Sequence, residues 1–223
     1  MQKYSYIESS IVLAPPENIE HFTLGYQLPL ADSLWLRVIQ NSDYCESNSG
    51  ERAYNAGIKL EEVLSYKMKP SRCNKGLIYQ TLDKITDLDE RFRIAYKAGA
   101  VFLSIGVDDR EGARLLYEKA IAQFPNDWNL LYNASYHYLF EVQDPKKAAE
   151  LMLASSKLPG SPSFLVSLAA RLFTIQGQGE LGYTVLQDYL EMNPSGDGAD
   201  RARMRLKEIA QKLGKPMLPE ENE

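Results

Sequence analysis

The strongest constraint on this chain is that part of it repeats itself about every 35 residues. Three stretches align: ERFRIAYKAGAVFLSIG followed by DREGARLLYEKAIAQFP, DWNLLYNASYHYLFEVQ followed by DPKKAAELMLASSKLPG, and SPSFLVSLAARLFTIQG followed by QGELGYTVLQDYLEMNP. A pair of small residues recurs at Gly99-Ala100, Ala134-Ser135 and Ala169-Ala170, spaced 35 and 35. A large apolar residue keeps the same step at Leu103, Tyr138 and Phe173. A second small residue follows at Ala113, Ala148 and Gly182, now spaced 35 and 34, with Tyr117, Met152 and Leu186 four residues further on. Each unit closes on a proline: Pro125, Pro159 and Pro194.

A period of this length is the mark of a stacked array. Within each unit the small residues let two helices approach closely, and the large ones fill the groove between them. The proline ends the second helix because it has no N–H to continue the ladder. One hairpin cannot bury its own apolar face, so neighbouring hairpins must stack.

These positions resemble the tetratricopeptide repeat (TPR) family over about residues 90–194. The resemblance implies an all-α fold, a right-handed superhelix of helical hairpins. The family's Trp-Leu-Gly signature is degenerate here, and Ser155 stands where the second helix usually carries alanine. The stretches LWLRVIQ, TDLDERF, DWNLLYNASYHYLFE and AARLF are also similar to a poorly characterised bacterial group of TPR proteins. That group implies an envelope-associated protein beginning with a hydrophobic anchor, which residues 1–20 do not resemble.

Upstream, ADSLWLRVIQ and GLIYQTLDKITDLDERF read as the two helices of a split hairpin, with Ile78, Leu82 and Ile85 on one face of the second. At the other end, ADRARMRLKEIAQKLG places Ala202, Leu206, Ile209 and Leu213 on one stripe, as a helix capping the array would. The expected organisation is an extension over 1–20, a split hairpin over 21–89 with an insertion at 41–75, three repeats over 90–194, a capping helix over 195–213 and a tail over 214–223.

A net charge of −5 argues against non-specific nucleic-acid binding, which needs a basic face. No apolar run is long enough to span a bilayer. MQKYSYIESSIVLAPPENIE has no basic segment followed by an apolar one, so it does not read as a secretory signal. The expected home is the cytoplasm, or the envelope or periplasm if a leader was removed. Neither a cofactor nor a metal is implied: the two histidines, His21 and His137, have no ligand-like spacing, and paired acids such as Glu61-Glu62 and Asp108-Asp109 read as solvated charges. GQGELG contains G-x-G-x-x-G, but a helical repeat precedes it where a dinucleotide site needs a strand. The sequon Asn133-Ala134-Ser135 falls in mid-helix. Cys45 and Cys73 flank the insertion. They are either two unrelated thiols or a disulfide pinning the loop, which would add roughly 3–4 kcal/mol.

The stretch WNLLYNASYHYLFEVQD is dense in aromatic residues. Helical spacing makes Leu131, Ser135 and Tyr138 core, and puts Tyr132 and Tyr136 on another stripe, with Asn129 and Asn133 beside it. The same stripe carries Lys97 and Val101 in the first repeat, and Ser167 and Arg171 in the third. In TPR arrays it lines the concave groove. Lys97 and Asn133 also match two of the five positions with which one TPR subclass clamps C-terminal carboxylates, but Val101, Phe164 and Leu168 occupy the other three. The expectation is a non-enzymatic scaffold that binds an extended peptide or helix of a partner protein. The alternatives are a structural subunit of a membrane-associated complex, using its convex face or the insertion, and an enzyme of unknown type.

Overall fold

The computed structural model describes residues 14–40, 65 and 69–215. Among these residues there are nine α-helices and no strand. They are α1 (Gln27–Gln40), α2 (Leu77–Leu88), α3 (Arg93–Val101), α4 (Arg110–Gln123), α5 (Trp128–His137), α6 (Pro145–Ser156), α7 (Phe164–Ile175), α8 (Gly179–Met192) and α9 (Asp197–Leu213). Single π-helical turns, Phe102–Val107 and Tyr138–Val142, extend α3 and α5.

Helix boundaries follow local chemistry. The carboxylates of Asp109, Asp127 and Asp144 accept the free N–H groups that open α4, α5 and α6. Pro145 starts α6, while Pro125, Pro159 and Pro194 lie just beyond α4, α6 and α8. At the end of α9, Gly214 takes φ +68, and the N–H groups of Gly214 and Lys215 return to the carbonyls of Gln211 and Ala210.

The main packing joins helices adjacent in sequence or one apart, giving hairpins α1–α2, α3–α4, α5–α6 and α7–α8, with α9 against α7 and α8. Two of the repeated small residues, Gly99 and Gly182, sit at close helix–helix contacts. A Cβ on Gly182 would lie 2.7 Å from the Ala170 carbonyl oxygen, and one on Gly99 would lie 2.7 Å from a Leu82 methyl carbon. Leu103, Tyr138 and Phe173 are buried with them. A large apolar cluster runs from α1 to α7, and a smaller one joins α7, α8 and α9. Ser155 is buried, and its hydroxyl donates to the Trp128 carbonyl at 2.7 Å, which gives a polar atom a reason to occupy the usual alanine position.

The change of spacing from 35 to 34 has a structural origin. After each first helix the chain turns through a left-handed residue: Asp108 (φ 59), Gln143 (φ 60) and Gly177 (φ 78). The next N–H returns to the large apolar residue of the repeat, from Asp109 to Leu103, Asp144 to Tyr138 and Gln178 to Phe173, at 2.8 Å in every case. The first two bonds span six residues and the third spans five. Thus α3 and α5 end in a π turn, while α7 does not, and one residue is absent from the third repeat.

Candidate functional site

α3 and α5 pack side by side, and an open hollow of about 560 Å³ lies over them. Ile94, Lys97 and Val101 line it from α3, Phe102 and Ile105 from the π turn, and Asn133 from α5. Ala98 and Gly106 complete the lining and, being small, leave it open. Ile94 and Ile105 are exposed. Among the described residues, Lys97 is the one ionisable group in the lining; it is half-buried and makes no hydrogen bond or ion pair with them.

Thirty-five residues on, the matching stripe of α5 is filled instead. Tyr132, Tyr136 and Phe140 stand where the first repeat has Lys97, Val101 and Ile105. The Tyr132 and Tyr136 ring centroids are 6.2 Å apart, those of Tyr136 and Phe140 4.3 Å, and those of Tyr132 and Phe164 on α7 6.1 Å. Burial pushes the Tyr132 phenol pKa up, with a smaller contribution from Tyr136. Only Tyr136 is substantially open, at 40%.

The residues expected to form one groove therefore divide. Lys97, Val101 and Asn133 meet at the hollow, and Asn129 supports Asn133 by accepting its amide N–H at 3.4 Å. Tyr132 and Tyr136 belong to the aromatic chain and do not line the hollow; nor do Ser167 and Arg171 on α7. Among the described residues of the N-terminal segment, the short 3-10 turn Ile19–Phe22 lies against α2, with Glu20 3.7 Å from Lys84.

Asp108 and Asp109 correct the reading of solvated acids. Both are buried, Asp109 fully at 0% exposure. The Asp109 carboxylate accepts from Gly112 N at 2.8 Å, Lys75 N at 3.0 Å and Gly76 N at 2.7 Å. Asp108 accepts from Arg72 N at 3.3 Å through its carboxylate and from Cys73 N at 3.2 Å through its carbonyl. Arg110 reaches Asp108 and Glu141 at 3.2 and 3.3 Å, and donates to the Lys69 carbonyl at 2.6 Å. Together they fasten residues 69–76 to the turn before α4. Sequence reasoning missed this because the donors lie more than 30 positions upstream. The one available signal was the alignment of Asp108 with Gly177 in the third repeat, which marks a left-handed turn. A second hollow, of about 310 Å³, borders this clamp; its cations Arg110 and Arg114 are balanced by Asp108, Glu141, Glu111 and Glu118. Cys73 is buried and disulfide-bonded. The other cysteine of the chain, Cys45, lies outside the described residues, as do Glu61 and Glu62.

His137 is a core residue at 3% exposure. Its Nε2–H donates to the Arg110 carbonyl at 3.1 Å, so Nδ1 carries the lone pair that accepts the Ser104 hydroxyl at 2.9 Å. Burial, reinforced by Arg110 and Arg114, pushes its pKa down to about 4 against the pull of the Arg110 carbonyl. A neutral imidazole thus ties α5 to the π turn of α3 and the start of α4. Among the described residues, no three His, Cys, Asp or Glu side chains are grouped to hold a metal ion, and no helix is long and apolar enough to cross a membrane.

No protein-family model matches the chain, and no curated protein matches it.

Proposed function

We propose that this chain is a non-enzymatic, protein-binding scaffold: a right-handed superhelix of TPR-like hairpins whose concave side takes an extended peptide or helix of a partner protein. The observation that carries the reading is the hollow over α3, apolar and open, with a half-buried Lys97 at its wall that has no partner among the described residues. In TPR arrays the stripe holding Lys97 and Val101 faces inward along the groove. An apolar surface around one cation suits a segment that presents an apolar side chain beside an acidic group. Asn133 offers an amide to the backbone of that segment.

A second reading, a structural subunit of a membrane-associated complex, draws on the other end of the array. Phe22, Leu24, Tyr26, Leu28, Leu36 and Ile39 are all exposed, Leu24 at 92%. Exposed apolar side chains that share one surface mark contact with another body. One experiment separates the readings. Displayed random peptides are selected on the intact chain, and their affinities are measured for Ile105→Glu and Leu36→Glu. Binding lost in Ile105→Glu and kept in Leu36→Glu is the expected result. Binding kept in Ile105→Glu overturns the groove reading, and its loss in Leu36→Glu would shift attention to α1.

A further inference from the structure

Gly106 lines the hollow in a place where its conformation does not require glycine. Its φ is not among the positive values of the chain, and it lies inside the π turn, where glycine is less favourable than alanine by roughly 0.5–1 kcal/mol. What glycine provides there is space. A Cβ at this position would stand 2.7 Å from both Cδ2 and Cε2 of Phe102, whose ring is part of the same lining. The second repeat carries Glu141 at the equivalent position and a buried His137 in place of Phe102. The arrangement is thus confined to the hairpin that has the hollow.

We propose that Gly106, by letting the Phe102 ring lie against it, is a specificity-determining residue that shapes the hollow for a bulky apolar anchor flanked by an acidic residue in the partner segment. The proposal rests on the groove reading above. Charge complementarity identifies the flanking group, since among the described residues Lys97 is the only ionisable one in the lining and has no partner. The volume of about 560 Å³ accommodates a large side chain with room around it. Any side chain at 106 displaces the ring within the lining and changes the shape that the anchor meets. The displaced group is the far part of a side chain on an open surface, so the fold can accept the change while the hollow cannot keep its form.

The test uses the full chain and the peptides selected on it. Gly106→Ala should melt at the same temperature as the parent or higher, yet bind those peptides roughly tenfold more weakly, the size of effect that one misplaced methyl group has in an apolar pocket. Repeating the selection on Gly106→Ala should return smaller anchors, and Lys97→Gln should remove the preference for the acidic neighbour. Unchanged affinity in Gly106→Ala, together with loss in Ile105→Glu, overturns this inference and leaves the groove reading standing. Unchanged affinity in both, or no selectable peptide at all, overturns both.

Discussion

The hairpins α3–α4 and α5–α6 share a backbone plan and use it in opposite ways. Each has a first helix ending in a π turn, a left-handed residue and an aspartate cap. On α3 the outward stripe is Lys97, Val101 and Ile105, and it borders a hollow. On α5 the same stripe is Tyr132, Tyr136 and Phe140, and the rings fill the space themselves. At the next position Phe102 is half-buried in the hollow wall, while His137 is buried and hydrogen-bonded on both nitrogens. The caps differ too: Asp109 is sealed among three N–H donors, whereas Asp144 is exposed and accepts the N–H of Lys147. The repeat therefore fixes where a side chain points, and the side chain decides whether the position becomes a surface to bind with or a piece of core.

The two hairpins should differ most at their caps. Asp109→Ala leaves buried donors from two segments unsatisfied and should cost about 3–5 kcal/mol, against about 1 kcal/mol for Asp144→Ala, measured as shifts in urea unfolding free energy. Equal costs would mean that the clamp adds nothing to an ordinary helix cap. Next comes His137. Its folded pKa of about 4 lies below the ordinary value of 6.5, so its contribution is complete above pH 6.5 and is lost as pH falls toward 4. The full span is on the order of 3 kcal/mol. His137→Gln should flatten that acid limb relative to the parent, and an unchanged limb would show that the imidazole is not responsible.

Tyr132→Ala removes a half-buried ring that bridges α5 to Phe164, and should cost about 2 kcal/mol. Val101→Ala, on the matching stripe, should cost less than about 1 kcal/mol. The smallest effect is expected for Tyr136→Ala, at a few tenths of a kcal/mol or so, because that ring is already open to solvent. If thermal melts put Tyr136→Ala level with Tyr132→Ala, the aromatic chain acts as one unit and both tyrosines are core.

The hairpins were legible because their signals are periodic: small residues at helix contacts, large ones beside them, proline after the second helix. Ala134, Ser135 and Tyr138 are buried where periodicity places them, and Ala202, Leu206 and Ile209 pack as one face of α9. The division of the stripe was not legible. Whether Tyr132 is bare or covered depends on Phe164, 32 positions away on another helix, and no spacing rule links the two. The single-residue change at Gly182 was visible as a number, but its meaning, a missing π turn, exists only in the hydrogen-bond pattern. Asp108 and Asp109 were misread because adjacent acids in a turn are usually solvated; backbone donors from residues 72–76 replace the water.

The clamp around Asp109 also bears on how the chain opens. A stacked array lets its units come apart one at a time, so amide protection should fall off gradually toward each end. Here the same carboxylate closes the start of α4 and the start of α2, and Lys119 on α4 binds Asp83 on α2 at 2.9 Å. Neither hairpin can separate without exposing the other's buried donors. Hydrogen exchange should accordingly find α2 and α4 released in a single cooperative step, while α9, held by the smaller apolar cluster, exchanges earlier and by itself.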